Sequence, residues 1–144
     1  MPVSIGVLRE AAADETRVAL TPAVIAPLIR DGIAVTVQKG AGERAGFGDA
    51  EYAAAGATLA SRRAALGAQV VVAVGRPDAA ATSALKPGQV LLGLLDSWQN
   101  SEQLEALDGV YVLSLDRLPR QISRAQTMDA LSSQASISGY RAAI

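Results

Sequence analysis

Gln69–Val74, Gln89–Leu95 and Val110–Leu115 are nearly continuous apolar runs of strand length, set apart by more polar stretches. A strand that is apolar along both sides must be covered on both faces. This is the condition of a parallel sheet sandwiched between helices. Two shorter runs, Val3–Leu8 and Ala34–Val37, bring the expected strands to five. Helix signals fall between the runs. Thr21-Pro22 places a capping hydroxyl before a proline at a first helical position, and Gly32 ends the helix that follows. Pro27 lies inside that helix and is expected to kink it or delay its start. Asp49 is expected to cap a helix over Ala50–Ala55 that stops at Gly56. Asn100 with Gln103 has capping-box spacing, and Gly109 closes the helix they open. Ala79–Ala84 reads as a short helix start or a loop, and residues 127–144 as one helix. Strands alternating with short helices argue for right-handed crossovers. The expected fold is α/β: a doubly wound, mainly parallel five-stranded sheet of flavodoxin- or Rossmann-like type.

Composition removes several kinds of chemistry. The 144 residues contain no His and no Cys, so Ser-His-Asp catalysis, disulfides and thiolate or imidazole metal sites are excluded. No metal is expected. A formal charge of -1 gives no electrostatic footprint for nucleic acid, and no nucleic-acid partner is expected. The apolar runs are too short to span a bilayer, and Arg9, Glu10, Asp14 and Glu15 do not suit a secretory signal. A cytoplasmic domain is the expectation. With half of the chain hydrophobic but only 3% aromatic, the core must be built from Ala, Val, Leu and Ile.

In open α/β sheets ligands bind beyond the carboxyl ends of the strands, near a switch in strand order. Those ends are Arg9-Glu10, Lys39-Gly40, Gly75-Arg76, Asp96-Ser97 and Asp116-Arg117. Each strand must end in something polar, but five such ends on one rim make a cleft. Gly40-Ala41-Gly42 through Gly46 has one residue too many for a dinucleotide fingerprint and reads as a flexible loop. Two segments are richer in polar side chains than a loop requires. One runs from Arg9 to Pro22. The other, Leu118–Ser133, holds Arg120, Gln121, Arg124, Gln126 and Asp129 directly after the last strand. These groups could hydrogen-bond a carboxamide, ribose or phosphate. A solvated loop with capping residues accounts for them equally well.

Glu15-Thr16-Arg17-Val18-Ala19-Leu20-Thr21-Pro22 resembles the opening motif of the alanine dehydrogenase and transhydrogenase N-terminal domain. Ile122-Ser123-Arg124-Ala125-Gln126-Thr127-Met128-Asp129-Ala130-Leu131-Ser132-Ser133-Gln134, with Gly139-Tyr140-Arg141-Ala142 beyond it, resembles the transhydrogenase α-type subunit more closely still. The likeness extends over essentially the whole chain. It implies a component that binds NAD(H) in a following Rossmann module, so that this chain is a fragment of something longer. It also implies hydride transfer to NADP(H) carried by a separate component. Membrane proton-channel subunits would hold the assembly on the cytosolic face, and a homodimer is implied as well. By the resemblance, Asp129 and Ser132 hold the NAD(H) carboxamide region, Gln126 faces NADP(H), and Arg120 is the loop arginine that joins them. Gln121 is an extra residue in that pattern.

Alanine dehydrogenases share the opening motif, with an arginine corresponding to Arg17 that binds the substrate carboxylate. They also need a Lys and a catalytic His where this chain has Ala73 and Asp96. Reducing pyruvate requires a proton donor for the carbonyl oxygen, whereas hydride transfer between two nicotinamide rings does not. The transhydrogenase is therefore the expected activity. NAD-dependent alanine deamination and a non-catalytic α/β partner-binding module are the alternatives.

Overall fold

The computed structural model describes residues 3–119 and 121–143. Its centre is a sheet of six parallel strands in the order β3-β2-β1-β4-β5-β6. The strands are β1 (Ser4–Val7), β2 (Ala34–Gln38), β3 (Thr58–Ala60), β4 (Val70–Val72), β5 (Val90–Gly93) and β6 (Tyr111–Ser114). The helices are α1 (Pro22–Arg30), α2 (Asp49–Ala54), α3 (Arg62–Leu66), α4 (Ala79–Ser83), α5 (Ser101–Glu105), α6 (Ser123–Gln126) and α7 (Ala130–Ala143). The parallel, doubly wound architecture is as expected, but the sheet has six strands instead of five. The strand missing from the sequence reading is β3. It has three residues and only one large apolar side chain, Leu59, too short a run to show periodicity.

Two cores flank the sheet. On one side Leu8, Leu66, Val71, Leu91, Leu95 and Leu104 pack under α3, α4 and α5. On the other, Val7, Ile25, Val35, Val37, Tyr52 and Val72 pack under α1 and α2. Close approach on the first side depends on Gly6, where an added Cβ would lie 1.9 Å from the Ala65 carbonyl oxygen. The expectation that β6 is covered on both faces is wrong. Val112 turns toward the first core, but Tyr111 and Leu113 on the opposite face are 66% and 55% exposed. The reason is position: β6 is the sheet's outer strand, beyond the reach of α1 and α2.

Several local expectations are met and others are not. Thr21 is the N-cap residue of α1, with Pro22 at its start, but its hydroxyl makes no capping hydrogen bond; Gly32 (φ +81°) follows the helix end as expected. The helix runs through Pro27, which delays nothing. Asp49 is not the cap of α2. Gly48 is, and its N–H donates to Glu51 Oε1 at 2.9 Å, which frees Asp49 to accept the Gly40 N–H at 2.9 Å. Asn100 precedes α5 but makes no capping bond, because its Oδ1 and Gln103 Oε1 both accept from the Arg76 guanidinium. The loop after β2 is packed and not free: Ala41 is buried, and a Cβ at Gly42 would lie 2.5 Å from the Tyr52 ring. The expected helix after Thr127 is present as α7, but it starts at Ala130, because Asp129 Oδ1 accepts the Ser132 N–H at 3.0 Å and so caps it.

Candidate functional site

The order of strands reverses between β1 and β4, and the crevice of such a sheet opens beyond their carboxyl ends. The segment after β1 reaches across this point. Buried Glu10 accepts the Val74 N–H at 2.7 Å and the Gly75 N–H at 3.0 Å. The backbone donors that would meet a bound anion there already hold a carboxylate of the chain itself.

A second carboxylate ties the ends of β5 and β6 together. Asp116 accepts from the Leu95 N–H at 3.2 Å, the Ser97 N–H at 2.9 Å, the Ser97 hydroxyl at 2.6 Å and the Ser114 hydroxyl. Burial alone would raise its pKa, but the hydrogen bonds from Ser114 and Ser97 prevail and bring it down to about 2. Arg117 Nε donates to Ser97 Oγ at 2.8 Å, and its guanidinium lies 4.5 Å from the centre of the Trp98 ring. Between these anchors Asp96 adopts a left-handed conformation, φ +48°, which Asp tolerates better than most residues.

Beside the switch point lies a cleft of about 520 Å³. Its floor is backbone and small side chains at the ends of β4 and β5, including Ala73 and Gly93. Leu20, Phe47 and Leu115 supply apolar walls, and Arg17 and Gln134 are among its few polar lining residues. The Arg17 fork is fixed by Glu15: Nε donates to Oε1 at 2.8 Å and Nη2 to Oε2 at 2.6 Å. The hydrogen bond from Arg17 holds the Glu15 carboxyl below its usual range, against the opposing effect of burial. The remaining terminal nitrogen, Nη1, donates to Gln134 Oε1 on α7 at 3.2 Å. Such a site suits a flat, mostly apolar ring carrying a small polar substituent. Its backbone donors do not suit a pyrophosphate.

The residues expected from sequence are only partly gathered. Asp129 and Ser132 meet: besides the cap bond, Ser132 Oγ donates to Asp129 Oδ2 at 2.5 Å. Asp129 is half-buried at the start of α7, next to Ala130, which lines the cleft. Gln126 is exposed at the end of α6, and no hydrogen bond of its side chain is seen. Arg120 lies outside the described residues. Among the described residues, no group of three or more His, Cys, Asp or Glu side chains could hold a metal ion. Sequence reasoning missed the role of Gln134 and the clamp made by Asp116. Gln134 lay inside a quoted motif without a partner, and the partner, Arg17, is 117 residues away.

The family described as "Alanine dehydrogenase/PNT, N-terminal domain" matches residues 6–138. The chain is similar to NAD(P) transhydrogenase subunit alpha of Cereibacter sphaeroides, with 44% identity over 99% of this chain and 28% of that subunit. The crystal structure of transhydrogenase from Sinorhizobium meliloti superposes with a TM-score of 0.90 at 34% identity, covering 97% of this chain and 42% of that one. A solved L-alanine dehydrogenase superposes with a TM-score of 0.72 at 31% identity, over 78% of this chain and 32% of that one. The chain thus spans less than half the length of each.

Proposed function

The chain belongs to the family of alanine dehydrogenase/transhydrogenase N-terminal domains, and from that premise we propose that it is part of the NAD(H)-binding component of a proton-translocating NAD(P) transhydrogenase. In this reading it walls one side of the cleft in which hydride passes between NAD(H) and NADP(H), the latter carried by a partner component. The observation that carries the reading is the wall itself. Where an alanine dehydrogenase needs a lysine, buried Ala73 lines the cleft, and Asp96, at the place of the catalytic histidine, is not among the lining residues. Among the described residues, none on that wall is arranged to protonate a carbonyl oxygen, which pyruvate reduction requires. Direct hydride transfer between rings requires orientation and exclusion of water instead.

The nicotinamide supplies the hydride chemistry, and this chain's residues place it. Asp129 and Ser132 are assigned to the NAD(H) carboxamide region and Gln126 to the side that meets NADP(H). Asp129 caps α7 while doing so. No helix among the described residues is long and apolar enough to cross a membrane. Attachment to a membrane is accordingly assigned to the proton-channel subunits, and a homodimer is part of the same proposal.

The specific observation in favour of alanine dehydrogenase is Arg17 facing the cleft, which would suit a substrate carboxylate. Assaying the full-length polypeptide separates the readings. With the NADP(H) partner, a transhydrogenase exchanges hydride between dinucleotides and does not turn over pyruvate, ammonia and NADH. Turnover of the latter set without exchange between dinucleotides would refute the proposal.

A further inference from the structure

A groove of about 560 Å³ lies between α3 and α4, on the face of the sheet that these helices cover. Arg62, Arg63 and Lys86 line it, and no carboxylate does among the described residues. The chain as a whole carries a formal charge of -1, so this concentration of cations is local. Arg62 is fixed in place, because its Nη2 donates to Asp78 Oδ2 at 2.7 Å. The other oxygen of Asp78 accepts the Ala81 N–H at 2.9 Å and caps α4, so one carboxylate ties the starts of the two helices together. The hydrogen bond from Arg62 holds the Asp78 carboxyl below its usual range. Arg62 Nε is shielded from solvent, yet it has no acceptor among the described residues. A buried N–H of a cation without an acceptor is costly, and an ordinary solvated basic face does not have one. Arg63 and Lys86 are exposed and form no ion pair with any described residue.

We propose that the groove between α3 and α4 binds a phosphate monoester through Arg62, Arg63 and Lys86. The inference is independent of the transhydrogenase reading and concerns a different face of the domain. Three cations, less the charge of Asp78, leave two positive charges at the groove. A phosphate monoester carries about -1.5 to -2 near neutral pH, which matches them, whereas a diester carries half as much. Its three terminal oxygens suit the fork of an arginine and the point charge of a lysine. The groove is larger than a phosphate group needs. Leu66, Ala80 and Ala84 line the rest of it, and they leave an uncharged surface for the body of the ester. Arg62 and Asp78 hold the two helices at a fixed spacing, so little reorganisation is required on binding.

The test follows the backbone amide resonances of α3 and α4 by NMR in the full-length polypeptide, so that phosphate bound elsewhere is not counted. The dissolved probe is glycerol 3-phosphate, expected to saturate with a Kd on the order of 1 mM or tighter. A second arm measures cosedimentation with phosphatidylcholine vesicles, with and without phosphatidic acid, whose headgroup is the same monoester. Binding in the first arm assigns the site to a soluble ester, and binding in the second alone assigns it to a lipid headgroup. Either supports the proposal, provided that the groove variants lose it. Arg63→Ala and Lys86→Ala each remove one exposed cation, leave the Arg62–Asp78 pair intact, and are expected to weaken binding about tenfold. Arg30→Ala removes the same charge from α1, on the opposite face of the sheet, and is expected to change binding less than about twofold. Ala80→Glu puts a carboxylate into the groove at an exposed position in the first turn of α4, where an acidic residue suits the helix, and is expected to abolish binding. Absence of saturable binding in both arms would overturn the proposal. So would an effect of Arg30→Ala equal to that of the groove variants, or retention of binding in Ala80→Glu.

Discussion

At the level of single residues, two aspartates show how differently a carboxylate can be read from sequence and from structure. The motif around Asp129 proposes it for the site by resemblance alone, whereas its capping of α7 could not be read from sequence, because that depends on where the helix starts. The two roles can be separated. Asn retains an acceptor for the Ser132 N–H, so Asp129→Asn removes charge with the cap kept, whereas Asp129→Ala removes both. In the full-length polypeptide, Asp129→Asn and Gln126→Ala are expected to slow single-turnover hydride transfer far more than they weaken NADH binding. Asp129→Ala is expected to lose in addition about 1 kcal/mol of stability, the weight of an N-cap, by thermal denaturation. Unchanged single-turnover rates in both of the first two variants would remove the site assignment. Asp116 was visible only as a polar strand end, since Ser97 and Ser114 come to it from another loop and from its own strand. Its folded pKa of about 2 lies below the unfolded value of about 3.9. The stability it contributes is therefore complete above about pH 4 and is lost as pH falls toward about 2. Acid denaturation followed by circular dichroism should show a steeper loss across that window for the wild type than for Asp116→Asn. Parallel profiles would mean that the clamp does not contribute.

Among the elements, legibility followed length and burial. The strands β4 and β5 announce themselves because burial on both sides makes them apolar throughout, and β3 does not because three residues carry no period. β6 misled for a physical reason: its sequence is as apolar as that of an inner strand, yet it forms the sheet's edge with Tyr111 and Leu113 exposed. Soluble proteins usually blunt such an edge with charge, proline or a bulge, and Tyr111–Ser114 has neither charge nor proline. Apolar area left uncovered here favours association at about 25 cal/mol for each Å² buried. The isolated domain is expected to self-associate in light scattering over a concentration series, and Tyr111→Lys with Leu113→Lys to reduce that association. A strictly monomeric wild type at high concentration would sink the idea. Between β1 and α3 the contact is set by one glycine. Gly6→Ala drives a methyl into the Ala65 carbonyl and is expected to cost about 1–3 kcal/mol or more, measured by chemical denaturation. A loss below about 0.5 kcal/mol, the scatter of an ordinary surface substitution, would show that α3 shifts freely on the sheet.

At the scale of the whole molecule, the strand order is that of a dinucleotide-binding sheet, but the crevice is fitted differently. The usual fold of this order turns from its first strand into a glycine-rich helix start whose N–H groups face a pyrophosphate. Here β1 is followed by Leu8-Arg9-Glu10, and α1 begins only at Pro22. The absence of the fingerprint was plain in the sequence. The sequence could not show what takes its place, because the Glu10 carboxylate meets Val74 and Gly75 across 64 and 65 residues. Those two N–H groups are the donors a phosphate would need, and a second anion beside a buried carboxylate would be repelled. With the Val74 and Gly75 N–H groups held by Glu10, the domain is expected to offer little of the phosphate contact on which a dinucleotide's affinity rests. Residues 1–144 alone are expected to bind NADH weakly in calorimetric titration, in the millimolar range, near -4 kcal/mol. Glu10→Gln should not rescue tight binding, since an amide oxygen can still accept one of the two N–H groups and no helix terminus is brought to the site. Micromolar NADH affinity for the isolated domain would show that its crevice holds the pyrophosphate after all, and that the division of the cofactor between two domains is wrong.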